Sequence, residues 1–122
     1  MYEKFSDLVG KTMESVVNNN DDEIVFKTVD GDVYKLYHDQ DCCESVSVED
    51  IAGDLKDLVG SPITMAEEET SGENPPGVDK GNQESFTWTF YKLATVKGYV
   101  TIRWYGESNG YYSESVSFSK YK

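Results

Sequence analysis

The residues best suited to chemistry lie close together in one short segment. The chain's single histidine, His38, is followed by Asp41 and by its only two cysteines, Cys42 and Cys43. Imidazole, thiolate and carboxylate groups are the ligands that zinc prefers. Structural zinc sites usually space their cysteines two to four residues apart, however, and adjacent side chains on a strand point to opposite faces. Zinc bound by these four residues is therefore kept as an alternative, and otherwise no cofactor is expected.

The same segment has two other interpretations. A nucleophilic pair of Cys42 or Cys43 with His38 would need an activating turn or helix start directly after the cysteine, and the sequence shows neither. A structural role is favoured, with one cysteine packed inward and the polar residues forming a hydrogen-bonded loop. A disulfide between neighbours closes no useful loop, so the chain is not read as a disulfide scaffold. We expect no enzymatic activity.

Charge excludes some classes of ligand. The 122 residues carry a formal net charge of −12. Residues 1–80 hold 20 acidic and 6 basic side chains, whereas residues 81–122 hold 3 and 5. Binding to nucleic acid or to an anionic membrane needs Lys and Arg to displace counterions, so neither ligand is expected.

The acidic surface has two interpretations that the sequence leaves open. It can simply keep the protein soluble, or it can dock onto a basic partner by electrostatic steering. Two tyrosines in a loop rich in Ser, Asn and Gly would add contact area at low entropic cost. The candidate binding residues are Asp21, Asp22, Glu23, Asp39, Asp41, Glu49, Asp50, Asp54, Asp57, Tyr111 and Tyr112.

Two sequence matches indicate an internal duplication. The tetrapeptide Asp-Leu-Val-Gly occurs at 7–10 and again at 57–60, and Glu44-Ser-Val-Ser recurs from Glu114. The offsets, 50 and 70 residues, agree if the second copy contains an insertion. We therefore predict one domain over 1–122, with a first repeat at about 1–48 and a second at about 49–118. A flexible insertion is expected at about 69–84.

Local patterns predict an α+β fold. Each copy begins with a short helix, at about Tyr2–Leu8 and Val48–Leu58, where apolar residues recur at helical spacing. Alternating apolar residues and turn signals such as Asp30-Gly31 then predict four strands per copy, among them Val33–Tyr37 in the first and Tyr112–Phe118 in the second. The expected fold is an antiparallel arrangement of about eight strands with two short helices. No apolar run is long enough for a membrane span and the N-terminus lacks a signal pattern, so a soluble, intracellular protein is expected.

Several long stretches resemble a family of small, uncharacterised proteins encoded by bacteriophages and prophages. These are YHDQDCCESV at 37–46, EDIAGDL at 49–55, TWTFYKLAT at 87–95 and GYVTIRWYGESNGYYSE at 98–114. The resemblance covers roughly residues 7–118. It implies a phage accessory protein in a bacterial cytoplasm, and it assigns no activity to any residue.

The leading functional hypothesis combines that context with the charge. A small acidic phage-type protein is expected to bind and inhibit a host defence or nucleic-acid-handling protein, imitating nucleic acid in the manner of some anti-CRISPR proteins. The partner would be a basic host protein. A metal-stabilised protein using the segment from His38 to Cys43 is one alternative, and a virion or assembly component is another.

Overall fold

β-Strands make up almost all of the regular structure. The computed structural model describes residues 3–81 and 83–122, and places eight strands there in two antiparallel four-stranded sheets. In chain order they are β1 (Met13–Asn19), β2 (Glu23–Thr28), β3 (Val33–Tyr37), β4 (Ser45–Ala52), β5 (Met65–Ser71), β6 (Ser85–Thr95), β7 (Gly98–Ser108) and β8 (Ser117–Lys120).

Each sheet takes three consecutive strands from one half of the chain and one strand from the other half. Sheet 1 has the order β1-β2-β3-β8 and sheet 2 has the order β4-β7-β6-β5. Strand β4 therefore pairs with β7, and β8 pairs with β3. The chain must cross between the sheets twice, first between β3 and β4 and again between β7 and β8.

The predicted α+β class is wrong, because the two expected helices are single 3₁₀ turns. These turns span Phe5–Leu8 and Leu55–Leu58, four residues each. An i, i+3 pair of apolar residues fits a 3₁₀ turn as well as an α-helix, and one turn is too short to offset the cost of helix nucleation. The predicted start of the first helix, at Tyr2, lies outside the described residues.

The second predicted helix fails because its first half belongs to β4. Val46 and Val48 alternate with exposed or half-buried residues and face the core, as strand residues do. A β-bulge between Val48 and Asp50 then changes the alternation, so that Ile51 packs against the core. These β-branched side chains favour a strand, and the bulge makes their spacing look helical.

The two halves interlock through reciprocal backbone hydrogen bonds. The Gly10 N–H donates to the Ile63 carbonyl at 2.8 Å, and the Gly60 N–H donates to the Met13 carbonyl at 2.9 Å. Both glycines have positive φ, 89° and 86°, which side-chain-bearing residues rarely adopt. Met13, Ile63, Leu8 and Leu58 are fully or almost fully buried, so these bonds lie beside the core.

The predicted insertion lies on the outer face of sheet 2. Strand β5 continues to Ser71, and the chain then passes over Trp88 and Tyr105. The Trp88 Nε1–H donates to Asn74 Oδ1 at 3.0 Å, and Gln83 Nε2 donates to Tyr105 Oη at 2.5 Å. Lys80 lies 4.9 Å from the centroid of the Tyr105 ring. These contacts bury Trp88 completely on a face that would otherwise be open.

Across residues 3–81 and 83–122, no helix has the length and apolar character to cross a membrane.

Leu58 provides a test of the core. Leu58→Ala should lower the free energy of unfolding by about 2–5 kcal/mol, because the side chain is fully buried and its removal leaves a cavity. Urea unfolding followed by fluorescence measures the change. Val96→Ala is the control, since Val96 is 83 % exposed and should change stability by less than about 0.5 kcal/mol. Equal effects of the two substitutions would contradict the core assignment.

Candidate functional site

The two segments that cross between the sheets lie side by side. We name residues 38–44, between β3 and β4, the first crossing segment, and residues 109–116, between β7 and β8, the second crossing segment. They are joined directly, because His38 Nδ1 lies 2.7 Å from the Ser115 carbonyl oxygen. The alternative metal ligands in the first segment and the candidate binding tyrosines, Tyr111 and Tyr112, in the second are thereby brought to one end of the molecule.

Glu44 is the centre of the first crossing segment. Its side chain is completely buried. The backbone N–H groups of Asp41 and Cys42 donate to its two carboxylate oxygens at 3.0 and 2.9 Å, and Gln40 Nε2 donates to its backbone carbonyl at 2.7 Å. The segment is thus folded around one carboxylate, which satisfies backbone groups that have no strand partner.

Hydrogen bonding sets the charge of Glu44. Burial alone would raise the pKa of this carboxyl, but the donors from His38, Cys42 and Asp41 outweigh burial and lower the pKa to about 2. Glu44 is therefore an ionised carboxylate at neutral pH, held in the interior by donors on several sides.

Both ring nitrogens of His38 face hydrogen-bond acceptors. A backbone carbonyl can only accept, so Nδ1 donates to Ser115. Nε2 lies 2.9 Å from Glu44 Oε2, and an ionised carboxylate can also only accept. This geometry has a place for a donated proton at each ring nitrogen, and the His38 side chain that contacts Glu44 is only 5 % exposed.

Glu114 has the corresponding place in the second crossing segment. Ser108 Oγ donates to Oε2 at 2.5 Å and Thr87 Oγ1 donates to Oε1 at 2.9 Å. Burial opposes ionisation, but hydroxyl donors from Ser108, Ser85 and Thr87 lower the pKa of this carboxyl below its usual value. Each crossing between the sheets is thus held by a hydrogen-bonded glutamate.

The two cysteines form a disulfide with each other, and both are exposed. Beside them is an open cavity of about 440 Å³, lined by Cys43, Glu44, Ser45, Glu84, Glu107, Ser108 and Asn109. The sulfurs are bonded to each other and both His38 nitrogens are engaged. Within the described ranges, no three His, Cys, Asp or Glu residues are grouped to hold a metal ion. The zinc alternative at His38, Asp41, Cys42 and Cys43 stays a prediction.

Four predicted acidic residues gather near the crossing segments. Glu23 pairs with Tyr37 across β2 and β3, so the turn at 20–22 lies at the same end of sheet 1 as the residues that follow Tyr37. The Val48 N–H donates to the Asp21 carbonyl at 2.7 Å, which brings this turn against β4. The members of this group, all exposed, are Asp21, Asp22, Asp39 and Asp41.

Other predicted acidic residues are paired with bases. Arg103 donates to Glu49 Oε1 at 2.6 Å, and Lys80 lies 3.5 Å from the same carboxylate. Burial opposes ionisation of Glu49, but Arg103 and Lys80 lower its pKa. Asp50 lies 4.0 Å from Arg103, and Glu23 lies 3.7 Å from Lys35. These three carboxylates contribute less net negative potential than the sequence suggests.

Asp54 and Asp57 lie away from the crossing segments. They follow the far end of β4, an eight-residue strand that spans roughly 25 Å. Asp54 caps the second 3₁₀ turn by accepting from the Lys56 N–H at 2.9 Å. The structure therefore does not bring all the predicted acidic residues into one surface.

Tyr111 and Tyr112 lie on the second crossing segment. Tyr111 is 84 % exposed, and its ring meets the half-buried Tyr112 ring edge to face at 5.2 Å between centroids. The segment is also close to the disulfide, because Asn109 and Cys43 line the same cavity. The predicted tyrosine contacts and part of the predicted acidic surface therefore belong to one region.

Glu44 and Glu114 were not among the residues predicted to form the site. The available signal was their repetition, since Glu44 is the residue of the 38–44 segment that has an identical counterpart at the 70-residue offset. A glutamate at the same position in both halves is consistent with a shared structural role. The burial of Glu44 could not be predicted from the sequence, because most acidic residues of the chain are solvated.

Comparison with known proteins gives a family and no function. A family model described as a domain of unknown function, DUF7448, matches residues 6–118. Neither the curated proteins nor the solved structures that were compared with the chain gave a match. The family match does not indicate a bacteriophage origin.

The lowered pKa of Glu44 predicts a dependence of stability on pH. A carboxylate whose folded pKa, about 2, lies below its ordinary value of 4.5 stabilises the folded state above about pH 5, and this contribution is lost as the pH falls towards 2. Glu44→Gln should therefore be less stable than the native chain at pH 7, and the difference should shrink between pH 5 and pH 2. Urea unfolding across this range measures it. A difference that stays constant over the range would contradict the burial of an ionised Glu44.

Gly106 tests the packing of the second crossing segment against β7. A Cβ at this position would lie 2.5 Å from the Glu114 carbonyl oxygen. Gly106→Ala should therefore lower the free energy of unfolding by about 1–3 kcal/mol, as overpacking does. Gly72→Ala is the matched control, because its Cβ would meet no described heavy atom within 4 Å. Thermal unfolding of both variants makes the comparison, and similar melting temperatures would contradict the close approach.

Proposed function

We propose that this chain, which belongs to the DUF7448 family of domains of unknown function, is a non-enzymatic binding protein that docks onto a basic protein partner. The docking region comprises the two crossing segments and the adjoining turn at 20–22. The observation that carries the proposal is the joining of exposed acidic residues and an exposed tyrosine at one end of the molecule through the His38–Ser115 hydrogen bond.

Charge supports docking at this end. Asp21, Asp22, Asp39 and Asp41 are exposed there, and Glu84 and Glu107 line the cavity beside the disulfide. The net charge of −12 gives the whole molecule a negative field that would accelerate encounter with a basic surface. Such steering weakens with salt, because mobile ions screen exposed charges.

Tyrosine contacts supply the apolar component that charge alone lacks. Tyr111 offers a large ring with few rotatable bonds, and Tyr112 supports it from the side. Tyrosines of this kind are enriched among residues that dominate binding energy at protein interfaces. The proposed interface therefore has an exposed aromatic anchor beside acidic groups.

The finer form of the proposal names the kind of partner. The partner is a host defence or nucleic-acid-handling protein, which the chain inhibits by occupying a basic channel as nucleic acid would. A bacteriophage origin, implied by the sequence resemblance, belongs to this finer form. It rests on charge and resemblance, whereas the docking region itself rests on the placement of residues.

Metal binding is not included in the proposal. The four residues of that alternative would bind an ion only after the disulfide was reduced and one of the two His38 hydrogen bonds was broken. Breaking the Nε2 bond would leave the buried Glu44 carboxylate without one of its donors, and breaking the Nδ1 bond would separate His38 from the second crossing segment.

Two triple variants test the docking region. Asp21→Asn, Asp22→Asn and Asp41→Asn together remove three negative charges at the proposed surface. The control combines Glu67→Gln, Glu69→Gln and Glu73→Gln, which remove three charges on and after β5. Capture of partners from a bacterial lysate is measured for both at several salt concentrations. The first variant should lose capture by on the order of tenfold or more, since several exposed ion pairs are worth about 0.2–1 kcal/mol each. The control should retain it.

The outcomes separate the two levels of the proposal. Equal loss in both variants would attribute capture to net charge and would contradict a defined docking region. If the first variant alone loses capture, duplex DNA is then added as a competitor to capture by the native chain. Competition by DNA supports mimicry, and capture that DNA leaves unchanged contradicts mimicry while supporting docking.

A further inference from the structure

The disulfide between Cys42 and Cys43 is placed for chemistry rather than for covalent reinforcement. It joins adjacent residues, so it closes no loop of the chain and removes little entropy from the unfolded state. Both cysteines are exposed, which makes the sulfurs accessible to an attacking thiol. A bond that adds little stability and faces solvent is suited to reversible reduction.

Access to the bond is defined on one side by the cavity. Cys43 lines this open space together with Glu84, Glu107, Ser108 and Asn109. A thiolate approaching Cys43 from the cavity therefore passes carboxylates, which repel an anionic reductant. The surroundings favour a reductant that carries no negative charge near its thiol.

The bond is also linked to the buried carboxylate. The Cys42 N–H and the Asp41 N–H both donate to Glu44. Closing a ring through neighbouring side chains restricts the backbone between them, and this is the backbone that presents these donors. Opening the ring gives the first crossing segment more conformational freedom next to Glu44 and His38.

We propose that Cys42 and Cys43 form a redox site that exchanges two electrons with a neutral or cationic dithiol. A thiolate of the reductant attacks Sγ of Cys43, the bond between the cysteine sulfurs breaks, and Sγ of Cys42 leaves with the electron pair and takes a proton from water. The second thiolate of the reductant then attacks its own sulfur in the mixed disulfide. This releases the Cys43 thiolate, which is protonated, and the reductant becomes a disulfide.

Redox titration of the purified protein tests the site. The protein is equilibrated in buffers with varied ratios of reduced to oxidised dithiothreitol, alkylated and weighed by mass spectrometry. We expect species with zero or two alkylated cysteines, and recovery of the unalkylated form on reoxidation. In Cys42→Ser, where no intramolecular bond is available, oxidised glutathione should instead leave one glutathione adduct on Cys43.

Two results would overturn the redox site. One is a protein whose two thiols each take a glutathione adduct instead of closing on each other. The other is a disulfide that resists dithiothreitol in the folded state and is reduced only after unfolding in urea. Neither measurement depends on the proposed docking function, so the two proposals can fail separately.

The preference of the disulfide for a neutral or cationic reductant is tested separately, by comparing rates of reduction. Reduction by an anionic thiol, 2-mercaptoethanesulfonate, should be faster in Glu84→Gln than in the native chain, by up to about threefold for one charge at close range. Reduction by the cationic thiol cysteamine should be slower. Glu67→Gln on β5 is the control and should change neither rate. Unchanged rates in Glu84→Gln would overturn the preference for a neutral or cationic reductant.

Discussion

The exchange of one strand between the two halves of the chain is the constraint on which the rest of this structure depends. Because β4 completes the sheet of the second half and β8 completes that of the first, the chain must cross between sheets twice. A crossing segment has backbone groups that no neighbouring strand can satisfy. In each of them a glutamate accepts hydrogen bonds from the surrounding groups. The crossing segments are therefore ordered by polar contacts rather than by apolar packing.

The two hydrogen-bonded crossing segments concentrate charge at one end of the molecule. Burying an ionised carboxylate is costly unless hydrogen-bond donors surround it, and Glu44 has His38 as well as backbone N–H groups as donors. His38 in turn holds the second crossing segment through Ser115. The same arrangement places exposed acidic residues and Tyr111 at one end of the molecule and leaves the disulfide at the surface. Structural necessity and the proposed binding and redox chemistry thus involve the same short segments.

Local sequence signals predicted the hairpins well and the long-range arrangement poorly. Strand β3 has the predicted bounds, Val33–Tyr37, because Asp30-Gly31 marks its turn and its residues alternate. The helices were wrong because one apolar pair at i, i+3 fits a 3₁₀ turn, and because a bulge in β4 made strand residues look helical. The last strand was predicted at 112–118 but begins at Ser117, since the residues before it form a crossing segment.

For the site, composition identified the segment from His38 to Cys43, but no local pattern shows which of many glutamates is buried or which strand a segment will join.

The most direct measurement concerns the protonation of His38. The chain contains one histidine, so its ring nitrogens can be assigned without ambiguity in a nitrogen-15 NMR spectrum of the folded protein. The account predicts that both nitrogens carry protons at neutral pH, one shared with the Ser115 carbonyl and one with Glu44. A neutral ring with one unprotonated nitrogen at that pH would contradict the pairing of an imidazolium with a buried carboxylate. If the unprotonated nitrogen were Nδ1, the hydrogen bond that joins the two crossing segments would also be lost.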